Sequence, residues 1–228
     1  MTNQPDIFIA GMRIQEPIIA LTCFVVTSFS FIGFYKTRNI AYNPAFFYYR
    51  IFILLIGISS FIGAFVAHAF QDEFGIGGKF CTWFTSMMAV SMAQQAAFMR
   101  IQSRISERTY LILSFLNWVQ LLTFITITIF KKEFLFVEIH TAISLLLVVC
   151  SIELWLYTKN KSRISLNIMV GIGMLIIGVM FHILKISATN WFTYFDFGHV
   201  FIGLCLFFFW ISILRYHAAE TLSSNAKA

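Results

Sequence analysis

The stretch FDFGHVFIGL, residues 195–204, opens the last long apolar segment of the chain with an acid and an imidazole. Asp196 and His199 are three residues apart, so a helix places both side chains on one face. The apolar character continues to about residue 216, which gives the roughly 20 residues that a membrane-spanning helix requires. The stretch therefore predicts a transmembrane helix that carries a polar site near one end.

The rest of the 228-residue chain has the same apolar character. Hydrophobic residues make up 59% and charged residues 11%, whereas soluble domains carry about 25% charged residues. Seven segments are long and apolar enough to span a membrane, at approximately 17–35, 47–70, 80–100, 109–130, 134–157, 164–186 and 197–216. The third is the least apolar, and we expect its polar residues to face the bundle interior; they are Ser86, Ser91, Gln94 and Gln95. The sequence predicts an all-α, polytopic seven-helix transmembrane bundle that forms one integral membrane domain over residues 1–228.

Basic residues predict the orientation of this bundle. One set of segment ends collects Lys36, Arg38, Arg50, Arg100, Arg104, Arg108, Lys159, Lys161, Arg163, Arg215 and Lys227. The other set has only Arg13, Lys79, Lys131, Lys132 and Lys185. Because cytoplasmic loops are enriched in Lys and Arg, we expect the first side to be cytoplasmic, with the N-terminus outside and the C-terminus inside. The net charge of +6 then reflects topology, not nucleic acid binding, and the pattern favours a bacterial inner (plasma) membrane.

Four histidines share the predicted outer end of the bundle. His68 ends the second segment, His140 lies one to two turns into the fifth, His182 is near the end of the sixth and His199 is near the start of the seventh. Ionisable residues within spans usually face the bundle interior or a cavity. We therefore expect these histidines, with Glu16 at the start of the first segment, to form a polar site in the outer third of the bundle.

Two acids near this site have alternative interpretations. Glu16 precedes Pro17, and an acid next to an early proline is a favourable helix start, so Glu16 either caps the first helix or joins the site. Glu138 is two residues before His140, about 200° around a helix. With His140 directed inward, we expect Glu138 to face a neighbouring helix or the membrane interface.

Small residues within the apolar segments are interpreted as packing residues. The cysteines are scattered without metal-ligand spacing, which is typical of small buried hydrophobic side chains; they are Cys23, Cys81, Cys150 and Cys205. Three glycines of the sixth segment are expected to permit close helix approach; they are Gly171, Gly173 and Gly178.

The histidine set favours metal chemistry. Neutral imidazole is the commonest metal ligand, and catalytic zinc takes three protein ligands plus water. We expect a zinc-dependent intramembrane hydrolase acting on a lipid-like amide or ester near the outer leaflet. The metal ligands would be His68, His182 and His199, with His140 as an alternative. Asp196 would orient an imidazole or act as a base, and Glu16 would support a ligand.

Two other functions fit the same residues. Histidines that face each other across a bundle bind haem axially, which would make the chain a redox membrane subunit. Histidines also relay protons or stabilise structure in transporters and in non-catalytic subunits of membrane complexes. The expected partners are membrane lipids, with room for a protein partner or a second copy of the chain, since apolar surfaces that face lipid and partner look alike.

Two motifs resemble those of the superfamily that joins alkaline ceramidases with progestin and adiponectin receptors. The stretch SSFIGAFVAHAF, residues 59–70, is similar to its second-helix motif, and GHVFIG, residues 198–203, is similar to its seventh-helix motif. The resemblance implies a seven-helix membrane fold with an intramembrane zinc site, and it puts His68 and His199 in ligand places.

The chain departs from that superfamily at three points. Phe195 stands where the family has a histidine four residues before the one matched by His199, and Ala64 stands where it has a serine. The third segment also lacks an aspartate. Substitution by Asp196, His182 or His140 would then complete the site that the resemblance implies.

Overall fold

A computed structural model of the chain describes residues 4–40 and 43–225. Within these ranges it contains one β-hairpin followed by seven helices. The elements are β1 Ile7–Ile9, β2 Met12–Ile14, α1 Pro17–Thr37, α2 Pro44–Ala69, α3 Gln71–Ile101, α4 Glu107–Lys131, α5 Leu135–Asn160, α6 Arg163–Leu184 and α7 Tyr194–Asn225. Two helices contain a π-helical segment, at Gly63–Ala69 in α2 and Ile143–Val149 in α5.

Six of the described helices, all but α3, are long and apolar enough to cross a membrane. The chain therefore has the architecture of a helical integral membrane protein. Each of the seven segments in the sequence analysis has a helix at its position. The two largest differences are of equal size: α3 begins at residue 71 and not at 80, since its first residues are helical up to a kink at Gly75, and α7 ends at Asn225 and not at 216.

Helix α3 carries polar residues that do not face lipid, because neighbouring helices bury them. It packs against α2, α4 and α5. Ser91, Gln94 and Gln95 are at most 4% exposed, as the sequence predicts, whereas Ser86 is only half-buried. The amide of Gln95 donates to Ser114 Oγ at 2.9 Å, so a polar group inside the bundle finds a partner on α4. Buried polar groups that are hydrogen-bonded avoid most of the cost of desolvation.

The residues that flank the helices explain where they begin. Asn43 accepts hydrogen bonds from the backbone N–H groups of Ala45 and Phe46, and Pro44 occupies the first turn of α2. Ser106 caps α4 in the same way. Such caps satisfy N–H groups that have no partner within the helix. Both are at the end of the bundle opposite to His68.

The hairpin β1–β2 is an addition to the all-α fold that the sequence analysis predicts. Its two-residue turn has positive φ at Ala10 and Gly11, 51° and 80°, as a type I′ turn requires. Arg13 of β2 pairs with Asp6 at 2.7 Å and with Asp72 at the start of α3 at 3.0 Å. The hairpin is therefore fastened over the turn between α2 and α3.

Glycines allow α6 to approach α7 at two of the three expected positions. A Cβ atom at Gly171 would lie 3.1 Å from the Cys205 carbonyl oxygen, and one at Gly178 would lie 3.0 Å from Phe201 Cβ. A Cβ atom at Gly173 would meet nothing within 4 Å, so this expectation was wrong for Gly173. Gly173 lies on a different face of α6, since two residues turn a helix by about 200°.

Candidate functional site

Three side chains of metal-ligating type meet at one end of the bundle. They are Cys23 of α1, His68 of α2 and His199 of α7, and their ligand atoms all lie within 4.8 Å of one another. Cys23 Sγ is 3.4 Å from His199 Nε2, and the two imidazole rings are 6.0 Å apart between centroids. Cys23 is 3% exposed, and both histidines are half-buried.

The packing of three adjacent helices creates this group. Helix α1 lies between α2 and α7, and the start of α1, the end of α2 and the start of α7 meet at the same end. His68 lies in the π-helical segment of α2, where the Phe70 N–H donates to the Phe65 carbonyl. A π segment inserts one extra residue into a helix and is frequent at functional sites. It changes which way the last side chains of α2 point.

Glu16 is the partner of His68. Its Oε2 lies 2.8 Å from His68 Nδ1, and its side chain makes no capping hydrogen bond to α1. The backbone of Glu16 has φ 42°, in the left-handed region, which residues other than glycine rarely adopt. Such a conformation costs about 1–3 kcal/mol and is concentrated at functional sites. Of the two roles that the sequence leaves open, the contact with the site is the one observed.

Gln4 caps α1 in place of Glu16. Its Oε1 accepts hydrogen bonds from the N–H groups of Ile18 at 3.1 Å and Ile19 at 3.3 Å. Its Nε2 donates to Asp196 Oδ2 at 3.1 Å. One side chain from the segment before the hairpin thus ties the start of α1 to the start of α7.

Asp196 is fully buried and holds the start of α7. Its Oδ2 accepts hydrogen bonds from the Thr193 backbone N–H at 2.6 Å and hydroxyl at 2.9 Å, in the manner of a capping box. Its Oδ1 accepts from the Thr22 hydroxyl at 3.2 Å. The carboxylate does not contact His199 in this arrangement; it acts on that histidine through Thr22.

The Thr22 hydroxyl sets the tautomer of His199. Its Oγ1 lies 2.9 Å from His199 Nδ1 and also has two acceptors in reach, Asp196 Oδ1 and the Ile19 carbonyl at 3.0 Å. A hydroxyl has one proton, and either acceptor takes it. With the Thr22 proton on either of these oxygen acceptors, His199 Nδ1 donates to Thr22, and a lone pair remains on Nε2, the nitrogen next to Cys23.

The other two histidines lie apart from this group. His140 is fully buried between α3, α4 and α5; its Nε2 is 3.4 Å from Ser91 Oγ and its ring packs on Phe124. His182 Nδ1 pairs with Glu138 at 2.9 Å. The opposite directions of Glu138 and His140 agree with their two-residue spacing. The prediction that all four histidines form one site is therefore wrong for His140 and His182, which do not lie with His68 and His199.

Three residues of the site were not predicted from the sequence: Cys23, Thr22 and Gln4. Cys23 looked like a packing residue because it stands alone in an apolar run. The spacing from Glu16 gives no signal, since Glu16 precedes α1 and has a left-handed backbone. Thr22 and Gln4 carry no signal either, because each acts through contacts with the distant residue Asp196.

The apolar helices and the Cys23–His68–His199 group define a class: helical membrane proteins with one thiol and two imidazoles clustered at one end of the bundle. The chain belongs to the family DUF6962, described as a family of unknown function, whose model matches residues 18–218. It matches no curated protein and no solved structure. The matched range contains all three residues of the group.

Proposed function

We propose that the chain is a zinc-dependent membrane hydrolase in which Cys23, His68 and His199 bind the metal. The observation that carries the proposal is that the three ligand atoms lie within 4.8 Å of one another. Zinc bonds of about 2.3 Å to sulfur and 2.0–2.1 Å to nitrogen, at a tetrahedral angle, separate the two atoms by about 3.5 Å. Cys23 Sγ and His199 Nε2 are 3.4 Å apart.

The contacts of the Nδ1 atoms of His68 and His199 support a metal site. His68 Nδ1 lies against the Glu16 carboxylate, and His199 Nδ1 lies against Thr22, which binds the Asp196 carboxylate. Imidazoles that ligate metals almost always donate their other N–H to a carboxylate, carbonyl or water. Glu16 and Asp196 are thus positioning residues. Asp196 is not assigned as a base, because its oxygens already accept four hydrogen bonds.

The donor set favours zinc with an open position. One thiolate and two imidazoles suit zinc, and three protein ligands are typical of catalytic sites, which keep the fourth place for water. When bound, the metal lowers the pKa of that water towards neutrality and supplies a nucleophile for an ester or amide. In this proposal Cys23 takes the ligand place that the sequence analysis gives to His182 or His140.

The surroundings support a substrate that arrives from the lipid. Phe24 follows Cys23 on α1 and packs edge-on against Phe65 of α2 at 5.2 Å and against Phe61 at 6.0 Å. Phe61 and Phe65 are 45% and 39% exposed, so this aromatic cluster forms part of the apolar surface beside the site. An acyl chain fits such a surface better than a soluble substrate does.

The proposal includes seven spans, with α3 as the seventh. Helix α3 has 31 residues, about 46 Å at 1.5 Å per residue, and lies against three apolar helices. With the orientation that Lys and Arg favour, the proposal has the Cys23–His68–His199 group in the outer third of a bacterial inner membrane. His68 and His199 are also the two residues that occupy ligand places in the ceramidase and receptor resemblance.

Metal analysis and lipid hydrolysis test the proposal together. Protein purified in dodecyl maltoside should contain about one zinc per chain and cleave an acyl amide or ester from a lipid panel. Cys23→Ala and His199→Ala should lose both properties, whereas Cys205→Ala and His182→Ala should keep them. A folded wild-type protein without metal would contradict the zinc site, and a Soret absorption band would favour haem. Zinc without cleavage of any lipid would contradict the hydrolase but not the metal site.

A further inference from the structure

A second polar site lies at the opposite end of the bundle. A cavity of about 340 Å³ opens where α2 begins, α3 and α5 end, and α6 begins, and where α7 passes them. Its Tyr216 is 17 residues along α7 from His199, about 25 Å at 1.5 Å per residue. The residues that line it include Phe46, Arg100, Arg104, Leu156, Ile164 and Tyr216.

The lining is cationic. Arg100 and Arg104 both contribute to it, and none of the described residues that line it is acidic. The Arg104 guanidinium packs over the Trp155 ring at 5.3 Å, which restricts its freedom beside the cavity. Because the Glu153 carboxylate balances the charge of Arg100, Arg104 supplies the net positive charge of the cavity. The planar donors of both guanidinium groups match phosphate or carboxylate oxygens.

Two nitrogens of the Arg100 guanidinium are bound by neighbouring side chains, and the third has no partner among the described residues. Arg100 Nε pairs with Glu153 at 3.2 Å, and its Nη2 donates to Ser165 Oγ at 3.0 Å. Its Nη1 is buried and has no hydrogen-bond partner among the described residues. A buried N–H of a charged group without a partner is costly, and native proteins usually satisfy it with a ligand, an ion or water.

The apolar part of the lining indicates that the anion belongs to a larger molecule. Phe46, Leu156 and Ile164 stand beside the arginines, and the volume lies within the range of small-molecule sites, about 300–1,000 Å³. We propose that the cavity binds a phosphate group through Arg100 and Arg104, supplied either by a lipid headgroup or by a soluble phosphate. Its position at the ends of membrane helices makes both sources accessible.

Binding measurements on a matched pair of variants test this site. Arg104→Gln removes one lining cation from an exposed position, and the thermal unfolding midpoint of the variant shows whether loss of the Trp155 contact affects the fold. Arg108→Gln removes the same charge from a neighbouring exposed position that does not line the cavity. Inorganic phosphate is titrated against each protein in dodecyl maltoside at constant ionic strength, and dioleoyl phosphatidic acid is titrated in mixed micelles of the same detergent.

We expect saturable binding that Arg104→Gln weakens at least tenfold and Arg108→Gln leaves unchanged. Binding of inorganic phosphate as well as phosphatidic acid would identify a site for soluble phosphates too. Binding of phosphatidic acid alone, with the same dependence on Arg104, would identify a lipid headgroup site. Equal responses of the two variants to both probes, or no binding by the wild type, would overturn the proposal.

Discussion

Thr22 and His199 join α1 to α7 through a 2.9 Å contact between the Thr22 hydroxyl and His199 Nδ1. The same hydroxyl lies 3.2 Å from Asp196 Oδ1. The carboxylate, the hydroxyl and the imidazole thus form a relay that fixes the ring. A metal-binding imidazole must present its lone pair in a constant direction. Substitution of Thr22 therefore tests the site without replacing any of the three proposed ligands.

Replacing Thr22 by valine should weaken zinc binding while the fold remains. Valine keeps the shape but removes the hydroxyl, so His199 Nδ1 loses its acceptor and Asp196 loses one donor. Outer contacts of this type change metal affinity about 10–100-fold. Competition with a zinc chelator measures the affinity, and Thr22→Ser, which keeps the hydroxyl, should bind zinc like the wild type. Equal affinities for valine and serine would contradict the relay.

Glu16→Gln should weaken zinc binding through His68. The amide oxygen still accepts from His68 Nδ1, but the negative charge that makes the imidazole a better ligand is lost. We expect a drop of about tenfold in zinc affinity, at the lower end of the effect of such contacts. The control is Glu73→Gln, an exposed acid in the first turn of α3. A similar loss in both variants would show a general charge effect and contradict a specific role for Glu16.

The helices were predictable because a bilayer fixes their length. Every span-forming segment is an apolar run of about the required length, so composition alone locates it. The start of α3 was not predictable, since residues 71–73 are polar and Asp72 makes its contacts with the distant residues Arg13 and Gln15. The hairpin was missed because strands of three residues are too short for an alternating pattern to be recognised.

The candidate site was only half predictable. The position of a residue along its helix predicts the end of the bundle at which it lies, and His68 and His199 do meet at one end. The sequence does not give the position around the bundle, which depends on which helices are neighbours. Hence His182, which pairs with Glu138, and His140, which lies against Ser91, do not join the group. Cys23 was missed because a lone cysteine in an apolar run has the pattern of a packing residue.

The buried residue Glu153 lies far from the Cys23–His68–His199 group, and its substitution should lower the stability of the fold. Its buried carboxylate accepts from the Tyr49 hydroxyl at 2.9 Å and pairs with Arg100 at 3.2 Å. Removing one partner of a buried ion pair leaves the other charge uncompensated and costs about 3–5 kcal/mol. Glu153→Leu should therefore lower the thermal unfolding midpoint strongly, and the double variant Arg100→Met, Glu153→Leu should recover most of the loss.

The exposed acid Glu107 provides the control for this prediction. It lies in the first turn of α4, so Glu107→Leu should change the midpoint little. A double variant that is no more stable than Glu153→Leu would contradict the interpretation that uncompensated charge causes the loss. That result would assign the stability to the Tyr49 hydrogen bond and to packing.

Helix packing makes a separate prediction for two glycines. A Cβ atom at Gly57 of α2 would lie 2.6 Å from Ser30 Cβ of α1, whereas one at Gly173 of α6 would meet nothing within 4 Å. Gly57→Ala must therefore push α1 and α2 apart, and overpacking of this kind costs about 1–3 kcal/mol. Gly173→Ala should be neutral or stabilising by up to about 1 kcal/mol, because alanine has the higher helix propensity.

Thermal unfolding of the two variants in the same detergent separates these effects. Because α1 carries Cys23 and α2 carries His68, displacement at Gly57 should also lower zinc affinity. Gly173→Ala should bind zinc like the wild type, since α6 contributes no ligand. If Gly57→Ala kept the unfolding midpoint and the zinc affinity of the wild type, the close approach of α1 and α2 would not be what holds Cys23 and His68 together.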